Sequence, residues 1–218
     1  KWILTKYERI VNSTIKHMDK YEFNLVGTET YNFIYDDFCS NYIEFAKYNL
    51  DKPATKSTLF WVLSGILQIL HPFMPFVTEE IFQMLPIKTH DSIMISNYPI
   101  YDKSLIFEEE EKIVDEKIEF IKNFRNIKAE NNISKEAQVK INTADEIIIK
   151  MLKLADNLTE ENLNINSYDV KTNNYKATIY FEKQITEEEL KLKEKQINDL
   201  IASIERRKKL LANENYVA

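Results

Sequence analysis

Aromatic and basic side chains recur on neighbouring turns of the first predicted helix. Trp2, Lys6 and Arg9 are spaced by four and three residues, so they share one face if residues 1–19 are helical. An aromatic ring beside basic groups can stack on a nucleobase and hold its phosphates. A second pair of cations, Arg125 and Lys128, lies on neighbouring turns of a later predicted helix. These clusters indicate a nucleic-acid interface, although ordinary solvated lysines and arginines produce the same pattern.

Residues with the spacing of an active site are missing from the sequence. The three histidines, His17, His71 and His90, lie in different segments without metal-ligand spacing. Two glycines in the whole chain exclude a glycine-rich phosphate loop. A single cysteine, Cys39, excludes an intramolecular disulfide and a zinc site built on several cysteines. We expect Cys39 to be a buried free thiol in a reducing compartment.

Carboxylates cluster on the second predicted helix, where Asp36, Asp37 and Glu44 form an acidic face. Paired carboxylates can act as general acid and base. A solvated or salt-bridged face is the more ordinary arrangement of such residues. We therefore predict a binding or scaffolding unit that has no catalytic residue and no metal ligand.

Composition and charge limit the classes of protein that fit this sequence. Hydrophobic residues make up 44% of the chain, which suffices for a core, and the net charge is −6. Any nucleic-acid binding would then depend on local basic patches and not on the total charge. No apolar stretch has the roughly 18 to 20 uninterrupted residues of a membrane span. Because the chain begins with lysine and not methionine, we expect it to be a piece of a longer protein.

Four helical patterns fill the first part of the chain, over residues 1–19, 25–48, 59–71 and 77–85. Short joints between them predict an up-and-down bundle. The third helix should end near His71, because Pro72 follows it. The corner at residues 72–76 is apolar, so we expect it to be packed inside. Thr78 is the predicted N-terminal cap of the fourth helix.

The hydrophobic period changes after this bundle. A helix is predicted at residues 105–130 and another at 145–154, with strands at 137–142, 163–166 and 175–182. Leu190, Ile197, Ile204 and Leu211 then repeat every seven residues, as in a coiled-coil seam. The predicted fold is mainly α: a helical bundle at 1–101, a small α+β module at 102–183 and the start of a coiled-coil arm at 184–218.

Four stretches of the sequence resemble the valyl-tRNA synthetases. The run Tyr-Asn-Phe-Ile-Tyr-Asp-Asp-Phe-Cys-Ser-Asn-Tyr-Ile-Glu-Phe-Ala-Lys at 31–47 is similar to a run in the anticodon-binding helices of that family. Leu-His-Pro-Phe-Met-Pro-Phe-Val-Thr-Glu-Glu-Ile-Phe at 70–82 resembles a stretch of the same domain. Asn-Ile-Lys-Ala-Glu at 126–130 is similar to Asn-Ile-Arg-Ala-Glu of the family, and Asn-Glu-Asn-Tyr-Val at 213–217 resembles the turn of its coiled-coil arm.

This resemblance implies a function. The complete enzyme would be a cytoplasmic, monomeric valine–tRNA ligase that attaches valine to its tRNA with ATP and Mg²⁺, through catalytic and editing domains outside this chain. The chain itself would need no cofactor and would bind the tRNA for valine, with neither DNA nor a membrane as partner. The residues expected to contact the tRNA are, in the bundle, Trp2, Lys6, Arg9 and Leu63, and in the arm, Arg206, Arg207, Lys208 and Lys209.

Two alternatives remain open at this point. A helical protein-interaction scaffold with no role in RNA binding would suit both the acidic net charge and the unpaired heptad seam. The corresponding domain of an isoleucyl- or leucyl-type synthetase would differ only in the tRNA that it binds. Salt-dependent binding of tRNA would separate the first alternative from the synthetase hypotheses.

Overall fold

The structure is a computed structural model that describes residues 1–86, 88, 90–161, 163, 165–181, 195–201, 203, 204, 207 and 208. These residues form a helical bundle, a small module of helix and sheet, and a helical segment near the C-terminus. The predicted mainly α architecture is thus confirmed. Within the described ranges, no helix is long and apolar enough to cross a membrane.

The bundle occupies the first part of the chain, and most of its bounds are close to those that the hydrophobic pattern predicts, although the third predicted helix begins six residues earlier than expected, at Pro53. Its elements are α1 at Trp2–Asp19, α2 at Phe23–Asn32, a π-helical segment at Phe33–Tyr42, α3 at Ile43–Lys47, α4 at Pro53–Leu70 and α5 at Pro75–Met84.

The interior seam of α1 follows its helical period. Ile3, Tyr7 and Val11 recur every four residues, and each is at most 3% exposed. The chain then reverses at Tyr21, whose positive φ of 59° lies in the left-handed region that few residues with a side chain adopt. The turn brings α2 back along α1, as the up-and-down topology requires.

The π segment joins α2 to α3 without interrupting the helix, so the predicted helical pattern over residues 25–48 is confirmed. π-helical turns are wider than α-turns and are rare beyond a single turn. Phe33 and Phe38, five residues apart, are both buried. Asn41 donates from Nδ2 to the carbonyl of Asp36, also five residues earlier, at 2.8 Å. The segment therefore places every fifth residue on the core side.

The free thiol of Cys39 lies on the outer side of the π segment. The structure exposes it, so the prediction of a buried thiol is wrong. Its predecessor Phe38 takes the core position on this turn and is 4% exposed. Because consecutive residues of a helix point in different directions, Cys39 faces solvent.

The corner between α4 and α5 is exposed, which overturns the prediction that it is packed inside. Met74 is 46% exposed and Phe76 is 90% exposed. The last fully buried layer of α4 is at Ile69, so the corner projects beyond the end of the core. Phe73 is also exposed, and its ring meets that of Phe23, the first residue of α2, edge-on with the centroids 6.3 Å apart. Contiguous exposed apolar surface of this kind marks a surface for a partner.

The predicted cap of α5 is also wrong, because the helix begins earlier than expected. Pro75 is the first residue of α5 and Met74 is its N-cap, without a side-chain hydrogen bond to the free amides. Thr78 therefore lies inside the helix and is 1% exposed. Its hydroxyl donates to the carbonyl of Met74 at 2.8 Å and lies 2.7 Å from Nδ1 of His71.

Helix α6, at Glu108–Glu130, contributes to two hydrophobic cores. Val114 and Ile118 pack against the bundle core that contains Trp2. Phe120 and Phe124, one to two turns later, are buried in the core of the sheet module. One helix thus joins the two parts. Because side chains of α6 pack into both the bundle core and the core of the sheet module, the domain boundary predicted between residues 101 and 102 stays a prediction.

The sheet module contains β1 at Val139–Ile141, α7 at Glu146–Leu152, β2 at Asn166–Lys171 and β3 at Lys176–Phe181. The strands are antiparallel in the order β1-β3-β2, with Val139 opposite Ile179 and Val170 opposite Ala177. Asp145 accepts from the amide of Ile147 at 3.0 Å and caps α7. Two predicted strands are confirmed, but the strand predicted at 163–166 lies later, at Asn166–Lys171.

The predicted coiled-coil arm is described only in part. Residues 195–201, 203, 204, 207 and 208 are helical. Of the seam, Ile197 is 55% exposed and Ile204 is 52% exposed. Leu190 and Leu211, and the turn-like residues 213–217, lie outside the described residues. The heptad pattern therefore places apolar side chains on a helix whose seam is open in the described part.

Candidate nucleic-acid interface

A polar network joins the first turns of α1 to the first turns of α6 and contains three of the predicted site residues. The indole Nε1 of Trp2 donates to Oδ1 of Asp115 at 2.8 Å. Lys6, one turn further along α1, donates from Nζ to Oδ2 of the same carboxylate at 2.8 Å. The spacing of four residues between Trp2 and Lys6 allows both groups to reach one acceptor. Asp115 thus fixes the α1 face against α6.

Arg9 extends this network by one turn. Its Nε and Nη2 donate to the two carboxylate oxygens of Glu111 at 2.9 and 2.7 Å, a bidentate pair. Lys6 Nζ lies 3.5 Å from Glu111 Oε1. Burial favours a raised pKa for Glu111, but the hydrogen bond from Arg9 and the charges of Lys6 and Arg9 outweigh it, so the pKa lies below its usual range.

The three predicted residues on this face differ in accessibility. Trp2 is 6% exposed, so its ring presents no free face to a base. The Lys6 side chain is 21% exposed, whereas that of Arg9 is 51% exposed. Arg9 is therefore the member that a ligand in solvent can reach, while Trp2 and Lys6 hold the surface in place. A contact of any of the three with RNA stays a prediction.

Asp37 of the π segment adds a carboxylate that the sequence assigned to a solvated face. The structure places it half-buried and close enough to Lys6, Asp115 and Glu111 to feel their charges. Burial raises the pKa of Asp37 to about 6, with Lys6 opposing the rise and the two carboxylates adding to it. A carboxyl group with this pKa can accept a hydrogen bond when ionised and donate one when protonated.

Leu63, the predicted contact on α4, is half-buried and packs against the bundle core that also contains Trp2. It lies beside the smaller cluster of Leu67 and Phe82 as well. Its neighbour Trp61 is 46% exposed and meets Tyr7 edge-on, with ring centroids 5.0 Å apart. Leu63 is thus mainly a core residue here, and its role toward RNA stays a prediction.

Two exposed tyrosines form an aromatic stack that sequence reasoning missed. The rings of Tyr31 and Tyr35 are 5.8 Å apart at their centroids and 7° from parallel, and the residues are 64% and 60% exposed. The signal in the sequence is their spacing of four on a helix, which puts them on neighbouring turns. A pattern of apolar and aromatic positions does not separate the two roles, because a tyrosine serves an exposed face as well as a buried one.

The arm carries the other predicted contacts. Arg207 and Lys208 are exposed on its helical segment. Arg206 and Lys209 lie outside the described residues. Phosphate contacts need accessible cations, so the exposure of Arg207 and Lys208 agrees with the predicted role without testing it.

Among the residues that the structure describes, no group of three or more histidine, cysteine, aspartate or glutamate side chains could hold a metal ion. The described features of the interface are therefore paired cations, exposed aromatic rings and carboxylates. Such features suit recognition of an unstacked nucleic-acid strand by stacking and hydrogen bonding.

Comparison with known proteins agrees with this geometry. Residues 1–143 match the family model described as the anticodon-binding domain of tRNA ligase. The chain is 41% identical over 156 residues to the valine–tRNA ligase of Staphylococcus epidermidis. It is 42% identical over 156 residues to the valine–tRNA ligases of two Staphylococcus aureus strains, JH9 and Newman. Each alignment covers 68% of this chain and 18% of the relative, so the chain spans less than a fifth of the length of these relatives.

Proposed function

Because this chain belongs to the family of anticodon-binding domains of tRNA ligases, we propose that it binds the anticodon stem-loop of the tRNA for valine as part of a valine–tRNA ligase. The observation that carries the proposal is the family match over residues 1–143, which includes every helix of the bundle and α6. The names of the relatives support valine as the amino acid.

The polar surface that Trp2, Lys6, Arg9 and Glu111 form between α1 and α6 is called the α1–α6 face. Within this function it is assigned to the anticodon loop. Arg9 would contact the RNA directly, because its guanidinium is half exposed and can exchange Glu111 for a phosphate or a base edge. The helices that present the Arg9 guanidinium would be held in place by three other predicted residues, Trp2, Lys6 and Leu63. Anticodon bases are unstacked, so their edges are open to hydrogen bonds and their faces to aromatic stacking.

The stacked pair Tyr31 and Tyr35 supplies such an aromatic surface. Stacking on an aromatic side chain contributes about 1–3 kcal/mol per base and tolerates any base. In the arm, Arg206, Arg207, Lys208 and Lys209 would contact the tRNA backbone. Contacts to phosphates give salt-dependent affinity without sequence preference.

For the whole protein we propose a cytoplasmic, monomeric ligase that attaches valine to its tRNA and has neither DNA nor a membrane as partner. ATP and Mg²⁺ would be bound by other parts of such a ligase, and no residue of this chain is given a role toward them.

Binding of labelled tRNA transcripts to the chain tests this function. We would measure affinity by fluorescence anisotropy for the valine tRNA and for the same transcript with a swapped anticodon, across about 50 to about 200 mM salt. The expected result is an affinity at least about tenfold lower for the swapped transcript, because about 1–3 kcal/mol is lost per wrong base contact. Equal affinity for the two transcripts would contradict anticodon binding.

The protein-interaction scaffold is the second candidate, favoured by the exposed apolar corner and the open seam of the arm. Phe76 and Met74 at the corner and Ile197 on the arm are each at least 46% exposed. A scaffold would show no tRNA binding even at low salt, and would self-associate through the arm. Sedimentation of the chain beside the binding series separates the two functions.

A further inference from the structure

A basic groove lies at the opposite end of α6 from the α1–α6 face. Its walls are the last turns of α6, the connection at 131–138 and the end of α7, and its volume is about 440 Å³. Four cations line it: Arg125, Lys128, Lys135 and Lys153. We call this set the basic groove.

In the part of the chain that the structure describes, the cations of the basic groove lack acidic partners, unlike Lys6 and Arg9 of α1. Within the described residues, none of the four forms an ion pair with a carboxylate, whereas Lys6 and Arg9 each do. Among the described residues that line the groove, none carries a carboxylate. Four unneutralised charges around one opening create a local positive potential in a chain whose net charge is −6. Such a potential attracts an anion.

The backbone holds these side chains around the opening. Arg125 donates from Nη2 to the carbonyl of Met151 at 2.9 Å, which ties α6 to the end of α7. Asn157 donates from Nδ2 to the carbonyl of Lys135 at 2.8 Å, which fixes the connection. These two hydrogen bonds fix the Arg125 side chain and the backbone of the connection, and so they fix the walls of the groove.

Lys153 takes a backbone conformation that a lysine disfavours. It ends α7 in the left-handed region, at φ 54° and ψ 46°, where glycine or asparagine is the ordinary choice. Lys128 is half-buried with its ammonium 5.9 Å from the centroid of the Phe124 ring, and burial lowers its pKa. An anion beside Lys128 would stabilise its charged form. Lys128 thus gains from a bound negative group.

We propose that the basic groove binds the phosphodiester backbone of the tRNA, at a place separate from the anticodon contacts. The inference rests on the proposed function and adds a second contact surface to it. Four cations, contributed by α6, the connection that follows it and the end of α7, line the opening, and several cations suit successive phosphates along a strand better than one isolated ion. Phosphate contacts position the RNA and carry no sequence information.

The test replaces three groove lysines together, as K128Q/K135Q/K153Q, and leaves Arg125 in place because it holds α7. A matched control, K16Q/K20Q/K56Q, removes the same charge from exposed lysines of α1, the following turn and α4. Thermal melting of both variants checks the fold. We expect the groove variant to bind valine tRNA about tenfold more weakly, and the control to change by less than about threefold.

A plot of log affinity against log salt has a negative slope, and this slope should be shallower by about 2 in the groove variant. Each lost phosphate contact reduces its magnitude by about 0.7 to 0.9. The loss should be the same for the valine tRNA and its anticodon-swapped form. Equal losses in the groove and control variants, or no loss in the groove variant, would overturn the inference alone. No tRNA binding by the unaltered chain would overturn the proposed function and the inference together.

Two competitors test whether the basic groove binds something other than a tRNA strand. Inorganic phosphate tests for a free anion, and an acidic peptide tests for a protein partner. At constant ionic strength, inorganic phosphate at about ten times the tRNA-site concentration should not displace the tRNA, because one ion replaces only one of several contacts. Displacement by phosphate would show a site for a free anion and overturn the strand-binding inference. A poly-glutamate peptide is tested in the same way. If it binds the unaltered chain as tightly as tRNA does, and does not bind the groove variant, the strand-binding inference is overturned and a protein partner is indicated.

Discussion

The phenol ring of Tyr7 on α1 lies directly against Gly65 on α4, in the space that a β-carbon would occupy. Tyr7 is 3% exposed, and burial raises the pKa of its hydroxyl far above the usual range. The missing side chain at Gly65 thus lets the Tyr7 ring of α1 pack directly on α4. The glycine is therefore needed for packing and not for its backbone freedom.

Gly65→Ala should destabilise the bundle by about 2 kcal/mol. The added methyl group must displace the Tyr7 ring, and overpacking costs about 1–3 kcal/mol, whereas alanine recovers about 1 kcal/mol of helix propensity. Gly27→Ala on α2 is the matched control, because nothing lies within 4 Å of its position, and it should stabilise by about 0.5–1 kcal/mol. Urea unfolding followed by circular dichroism measures both. A neutral Gly65→Ala would contradict the contact.

Asp37→Asn should stabilise the fold at neutral pH. The folded pKa of Asp37, about 6, exceeds the ordinary value of 3.8, so between these values the folded chain binds more protons and its stability falls as pH rises. The amide removes this loss, by about 1–2 kcal/mol at pH 7 after allowance for solvent screening. Near pH 4 the variant and the unaltered chain should be equally stable.

The measurement is a set of urea unfolding curves from pH 4 to pH 7.5, compared as differences so that other carboxylates cancel. Asp51→Asn, at an exposed aspartate in the turn before α4, serves as the control, because it removes one carboxylate from the surface. A flat difference for Asp37→Asn would mean that its pKa is not raised.

Glu111→Gln should release Arg9 and Lys6 and so raise tRNA affinity by about threefold or more, while lowering stability by about 1–2 kcal/mol. Arg9→Gln should lower the affinity. The control is Glu109→Gln, whose side chain is 83% exposed on the same first turn of α6. Anisotropy with valine tRNA measures affinity. Equal gains from Glu109→Gln and Glu111→Gln would mean that only net charge matters and that the α1–α6 face is not the contact.

Phe76→Ser should leave the free energy of unfolding within about 0.5 kcal/mol, because the ring is 90% exposed at the corner. Phe82→Ser, on the same helix α5, should cost at least about 3 kcal/mol, because Phe82 is 0% exposed. Chemical unfolding compares the two, and binding of a hydrophobic dye should fall for Phe76→Ser alone. A large loss of stability in Phe76→Ser would show that the corner is packed after all.

The helices were predictable because apolar residues that recur every three to four positions within one segment indicate a helix. Ile3, Tyr7 and Val11 define α1, and Pro72 fixes the end of α4 to within a residue of the prediction. The start of α4, at Pro53, lies six residues before the predicted start at residue 59, because residues 53–58 contain no large apolar side chain. Strand β2 was misplaced because it is an edge strand in which only Val170 is buried, and a single apolar position gives no alternation. Edge strands of this kind are difficult to recognise from sequence.

The candidate site was predictable only in part. Helical spacing predicts the shared face of Trp2, Lys6 and Arg9, but nothing in the sequence indicates that Asp115 and Glu111, about 100 residues later, neutralise that face. Lys135 and Lys153 of the basic groove likewise come together with Lys128 only through the packing of α7 on α6. Tertiary partners decide which cations are paired, and a pattern in one segment does not contain that information.

Helix α6 has a consequence for cooperativity. The bundle core takes Val114 and Ile118 from it, and the sheet core takes Phe120 and Phe124. Since neither core keeps its packing when α6 unravels, the bundle and the sheet should lose structure in a single transition. A rigid helix of 23 residues also spans about 35 Å, so a tRNA held at both of its ends would meet two surfaces at a fixed separation. The distance between the two contacts is thereby set by the number of residues in one helix.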